Sequence, residues 1–188
     1  MLTIPPICDF DWKLPAFSLM DAEGVRHDSK DLMGENGCLI VFICNHCPYV
    51  IAIAKELSLV ADRLQSDHGI KVAAINSNDF VQYPQDAPSE MPNFARKHGF
   101  NFPYLIDESQ AVAREWDAVC TPDFFGFNQA GALQYRGRFY DRAQPAYDDQ
   151  GGFLWEQNDL YKAMTQIAQT GKGPVHQISS MGCSIKWK

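Results

Sequence analysis

Residues 38–50 read Cys38-Leu39-Ile40-Val41-Phe42-Ile43-Cys44-Asn45-His46-Cys47-Pro48-Tyr49-Val50. The first seven are apolar without interruption. A strand accepts that only when both of its faces are covered, so the pattern predicts the central strand of a sheet packed on two sides. The period then changes: Val50, Ile53, Ala54, Leu57, Val60, Ala61 and Leu64 recur at three and four residues, with Lys55, Glu56, Asp62 and Arg63 elsewhere. This spacing predicts a helix of about five turns with one buried stripe. Pro48 suits its first turn, where a missing N–H costs nothing, and Gly69 suits its end. Ile70–Ile75 reads as a second strand, and a strand-helix-strand unit implies parallel pairing with a right-handed crossover.

Outward from this unit, 76–88 is irregular, and a short helix near 89–98 closes at Gly99. A strand follows at 103–107, then a helix over 108–119. Apolar runs at 124–127 and 133–136 flank the turn Asn128-Gln129-Ala130-Gly131 and predict a hairpin; a last helix fits 154–169, stopped by Gly171. Parallel strands, an antiparallel hairpin and a terminal helix together give an α/β sandwich of three layers around a mixed sheet.

The 188 residues carry 16 Lys and Arg against 23 Asp and Glu, a formal charge of −7. Such an acidic chain has no general attraction for phosphate backbones or anionic lipid, so nucleic-acid and membrane-surface roles are not expected. After Gly171 the charges are Lys172, Lys186 and Lys188, read as a solvated tail. The longest apolar run is too short to span a bilayer, and the first twenty residues do not read as a signal peptide. The expectation is a cytoplasmic protein whose six cysteines are not a disulfide framework, any that matter being catalytic, redox-sensing or metal-binding.

Sulfur chemistry needs the thiolate, and a free cysteine with a pKa of about 8.5 is only about 3% ionised at pH 7. Cys47, directly before Pro48, stands where the N–H groups and dipole of a helix start could hold that anion. Cys44, three residues earlier, is close enough in sequence to attack a mixed disulfide formed on Cys47. His46 could polarise the site. A zinc site needs two further ligands at compatible spacing, and neither a second C-x-x-C nor an H-x-x-x-H is present, so no metal is assigned. Cys8 and Cys38 read as inert core sulfurs. Thr121-Pro122 either ends a helix or, with a cis bond, presents an open hydrogen-bonding edge to an extended substrate.

The order of these elements resembles the thioredoxin fold, in the version of the thiol-disulfide oxidoreductases and peroxiredoxin-like proteins of the alkyl hydroperoxide reductase and thiol-specific antioxidant (redoxin) superfamily. The resemblance rests on 40–50, on Pro103-Tyr104-Leu105-Ile106-Asp107 and on 119–128; Met181-Gly182-Cys183-Ser184-Ile185-Lys186-Trp187 also resembles tails of a peroxiredoxin-like subgroup. It covers residues 12–171 and leaves 172–188 as a C-terminal tail. It implies that Cys47 is the attacking cysteine, that Val50 stands where the resolving cysteine usually is, and that Pro122 is the cis-proline. With Thr121, Pro122 would then hold the substrate backbone. The peroxiredoxin pattern P-x-x-x-T-x-x-C does not fit: counted back from Cys47 the chain has Cys44 and Ile40, and from Cys44 it has Val41 and Gly37. The resemblance therefore favours thiol-disulfide exchange at Cys47 on a protein or small-molecule disulfide. Resolution would come from Cys44, or failing that Cys120 or Cys183, with reduction by an external thiol and no cofactor. A thiol-dependent peroxidase and a non-catalytic binding module of the same fold are the alternatives.

Overall fold

In the computed structural model, which describes residues 2–188, the apolar run forms a strand over Gly37–Phe42. It is the fourth in chain order, β4, after β1 (Leu2–Thr3), β2 (Ser18–Asp21) and β3 (Arg26–Asp28). Every residue of β4 is buried. Leu39 and Val41 face one apolar cluster, whereas Cys38, Ile40 and Phe42 face another. The period of two thus supplies both cores, and each fully buried aliphatic side chain contributes about 1.5–3 kcal/mol.

The long helix is in fact two, α1 (Pro48–Ile51) and α2 (Ala54–His68), separated at Ala52 and Ile53; Gly69 ends α2 in the left-handed region. β5 (Ile70–Asn76) runs parallel to β4. Then come α3 (Met91–His98), β6 (Tyr104–Ile106), α4 (Ala111–Glu115), β7 (Cys120–Thr121), β8 (Asp123–Asn128), β9 (Leu133–Tyr135), α5 (Asp159–Thr170) and β10 (Gly182–Ser184). The main sheet has the order β3-β2-β6-β5-β4-β8-β9, with β8 antiparallel to β4. Residues from α1, α2, α3 and α5 cover one face; α4, the segment around Trp12 and Phe17, and Ile185 cover the other.

Three further readings of the sequence are corrected. The helix expected over 108–119 shrinks to α4, because Gln110 and Asp117 have positive φ and the Asp107 carboxylate accepts the Val112 and Ala113 N–H groups, fixing the first turn late. The last helix starts at Asp159 rather than 154, since the Asn158 side chain caps it by accepting from the Tyr161 N–H, a 2.8 Å bond. The largest correction concerns residues 172–188, which do not form a solvated tail. They dock along the domain: Lys186 N–H donates to Asn78 Oδ1 at 2.9 Å, Lys186 O accepts from Asp79 N–H and from Gln110 Nε2, and Ile185 is buried. β10 forms the middle strand of a second sheet, β1-β10-β7. No helix among the described residues is long and apolar enough to cross a membrane.

Candidate functional site

β4 ends at Phe42, and the chain turns through Cys44-Asn45-His46 to deliver Cys47 as the N-cap of α1. The turn is pinned from outside. Asp86, fully buried, accepts from the Asn45 N–H (2.8 Å) and His46 N–H (3.3 Å) through Oδ1. Its Oδ2 meets His46 Nδ1 at 2.6 Å and accepts from Asn78 Nδ2 at 2.8 Å. The His46 ring also stacks on Tyr83 at 5.4 Å. His46 is thus held by Asp86 and Tyr83 with a ring nitrogen within 4.8 Å of Cys44 Sγ, and it is not among the groups that chiefly set the acidity of Cys47.

The peptide bond Thr121-Pro122 is cis, as the family resemblance implies. It brings both turn cysteines to one residue: the Cys44 thiol lies 3.4 Å from Thr121 Oγ1, and the protonated Cys47 thiol donates to the Thr121 carbonyl at 3.1 Å. Cys47 caps no helix N–H with its sulfur. Its neighbours add a source of acidity beyond the helix start inferred from sequence. The pKa lies well below the ordinary thiol range chiefly because the Cys44 thiol donates to the anion, assisted by the thiol and backbone N–H of Cys183; burial opposes them. Cys44 is pushed up by that same interaction and by burial, and Cys183 is raised to about 11, mainly by desolvation. The first proton to leave the three-thiol cluster is that of Cys47.

Cys120 does not join the cluster. In β7 it points away from the face shared by Thr121 and its cross-strand partner Cys183, and its thiol donates instead to Pro122 O at 3.7 Å. Cys38 sits inside the second core, its thiol pushed up to about 12 by desolvation, and Cys8 is likewise buried and raised to about 11.

Two findings depart from the sequence reading. Cys47 is fully buried, and the edge assigned to an extended substrate at Thr121-Pro122 is not open: Thr121 pairs antiparallel with Cys183 of β10. The protein's own C-terminal strand fills that edge because Gly182 has no side chain there; a Cβ on it would collide with the Thr121 carbonyl. Asp86 also brings a third donor beside Cys44 and His46, a grouping invisible in chain spacing. Both of its carboxylate oxygens are already engaged by the turn and by Asn78, an arrangement that accounts for Asp86 as a structural anchor.

A neutral alkylating agent reports the acidity of Cys47, since its rate follows the thiolate fraction. An ordinary thiol loses about tenfold for each pH unit below its pKa of about 8.5. Cys47 should hold a nearly flat rate between about pH 6 and about pH 8. Cys44→Ala, which removes the main donor to the anion, should raise the pKa and restore the slope. Parallel profiles for the two proteins would remove Cys44 as the cause.

Residues 11–136, two thirds of the sequence, match the AhpC/TSA family, and the cis-proline site falls inside the match. The chain belongs to the AhpC/TSA family. Its sheet and helices are those of the thioredoxin fold. An uncharacterized conserved protein from Geobacillus kaustophilus is 35% identical with a TM-score of 0.88, covering 100% of this chain and 97% of its own. A hypothetical protein from Sinorhizobium meliloti 1021 is 32% identical, also with a TM-score of 0.88, covering 99% and 98%. Both similarities extend past the AhpC/TSA match into the C-terminal segment. Thiol-disulfide oxidoreductase ResA of Bacillus subtilis (strain 168) is 26% identical over 121 residues, which is 63% of this chain and 62% of ResA; the chain thus spans under two thirds of that relative's length.

Proposed function

We propose that this AhpC/TSA-family protein is a thiol-disulfide oxidoreductase in which the Cys47 thiolate attacks a disulfide of a protein or small molecule. The observation that carries the reading is the convergence of three thiols, Cys44, Cys47 and Cys183, beside Thr121-Pro122, with Cys47 the most acidic. In the first step Cys47 Sγ bonds to one substrate sulfur and the other leaves as a thiolate that takes up a proton. A second protein thiol then attacks Cys47 Sγ and releases the first sulfur, which leaves a protein disulfide for an external thiol to reduce. The similarity to ResA supports this chemistry over peroxide reduction, as does Cys44 standing where the peroxiredoxin pattern needs a threonine.

Cys47→Ser should lower dithiothreitol-linked reduction of a disulfide substrate by more than about 10³-fold, because no other thiol in the cluster is acidic. A parent protein that consumes hydrogen peroxide rapidly with a sulfenic acid on Cys47, yet leaves disulfides untouched, would make it a peroxidase. A parent without either activity would make it a binding module.

A further inference from the structure

We propose that the C-terminal strand is a built-in substrate: Gly182–Ser184 occupies the backbone edge at Thr121 that an extended polypeptide would take, and Cys183 is the thiol that resolves Cys47. The inference rests on the thiol-disulfide reading of Cys47 and adds to it the identity of the resolving cysteine and a gate on the site.

Register is the first support. Cys183 pairs with Thr121, the residue whose carbonyl accepts from the Cys47 thiol, and directly opposed residues on antiparallel strands project their side chains to one face. Cys183 therefore faces the Cys47 side of Thr121 as a cysteine of a bound polypeptide would, and its thiol and N–H are among the groups that favour the Cys47 anion. The close fit at Gly182 against the Thr121–Pro122 peptide is the second support: this strand is shaped to the edge, not laid across it. Ser180 Oγ, which donates to Pro122 O at 3.1 Å, and Ile185 N–H, which donates to Val119 O at 3.0 Å, extend the docking on either side.

Exposure distinguishes the two possible resolving thiols. Cys44 and Cys47 are both sealed from solvent, whereas Cys183 is partly exposed. An external disulfide reaches Cys47 only when β10 lifts. β10 is three residues long and pairs with two-residue strands on both sides, so lifting it breaks few backbone bonds. Anchors outside the strand, Arg138 N–H to Ile178 O at 2.7 Å and Lys186 N–H to Asn78 Oδ1 at 2.9 Å, keep the displaced segment near and return it.

The electrons and atoms then balance. With β10 lifted, Cys47 Sγ attacks the disulfide R–S–S–R′, forming Cys47–S–S–R and releasing R′S⁻, which takes a proton. As β10 returns, Cys183 gives up its proton and its sulfur attacks Cys47 Sγ, which breaks the bond to RS and forms the Cys47–Cys183 disulfide; RS⁻ is protonated. One disulfide has become two thiols, and the protein dithiol has become a disulfide that an external dithiol reduces. An extended polypeptide substrate competes with β10 for Thr121.

The test oxidises the full-length protein with hydroxyethyl disulfide, quenches with an alkylating agent and maps sulfur pairing by mass spectrometry. Expected is a Cys47–Cys183 bond in the parent. Cys183→Ser should retain a Cys47–hydroxyethyl mixed disulfide at least tenfold longer than the parent. Gly182→Ala, which keeps every sulfur, should push β10 off the edge: Cys47 alkylation in the reduced protein rises about tenfold, and closure to Cys183 slows. A Cys44–Cys47 bond with Cys183 alkylated throughout, or parent-like resolution in Cys183→Ser, overturns this proposal and leaves the exchange chemistry standing. Absence of any disulfide on Cys47, mixed or internal, in the parent, in Cys183→Ser and in Gly182→Ala overturns both.

Discussion

Replacing Trp116 by alanine should destabilise the protein by about 4 kcal/mol, a substantial part of the about 5–15 kcal/mol that a domain has. Trp116 follows α4 and is 2% exposed. Five aromatic rings meet it edge-on: Trp12 at 5.5 Å, Phe17 at 5.7 Å, Phe42 at 5.7 Å, Phe125 at 5.2 Å and Phe127 at 5.6 Å. Truncation removes the largest buried side chain of the second core and leaves a cavity those rings cannot fill together, since they come from β4, β8 and the N-terminal segment. With a urea dependence of about 2.5 kcal/mol per M, the unfolding midpoint should fall by about 1.5 M. Trp116→Phe should lose much less, because the Trp116 Nε1 has no hydrogen-bond partner among the described residues. A midpoint for Trp116→Ala within about 0.5 M of the parent, with unchanged slope, would show that the core collapses around the gap.

The same strand explains why the fold could be read from sequence. β4 is apolar at every position because both of its faces are covered, and α2 repeats its buried stripe over four turns; both signals are local and periodic. Cys47 was legible for the same reason, since it lies where a strand pattern gives way to a helix pattern. The source of its acidity was not. Cys44 is near in sequence, but Cys183 reaches the sulfur from 136 positions along the chain through a strand of three residues that carries no period. Gly182 looks like an ordinary turn former until the Thr121 carbonyl stands against it. Asp86 lies in a stretch read as irregular, which it is; its four partners come from a separate turn and from Asn78, and no local pattern names them.

Asp86→Ala should therefore damage the reactive turn more than its distance in sequence suggests. The carboxylate is fully buried and serves four donor positions: two backbone N–H groups of the turn, the His46 ring and Asn78. Alanine leaves those groups without their buried acceptor. Removing one partner from a buried charged network costs about 3–5 kcal/mol. Asp86→Asn keeps one oxygen for the Asn45 and His46 amides, so it should recover more than half of that loss. The chemical consequence is separate from the thermodynamic one. Asn45 and His46 are the two residues between Cys44 and Cys47, and Tyr104 OH supports the same turn by donating to Asn45 Oδ1 at 3.0 Å. Releasing the turn lets the two sulfurs drift, and displacement by about 1 Å costs a positioned reaction about 10²-fold. Well below its own melting temperature, folded Asp86→Ala should exchange with a small disulfide about 10²-fold more slowly than the parent, and Cys47 should regain an ordinary pH profile as the Cys44 donor moves away. A variant that loses stability but keeps both the exchange rate and the flat profile would make Asp86 a fold anchor with no part in placing the sulfurs.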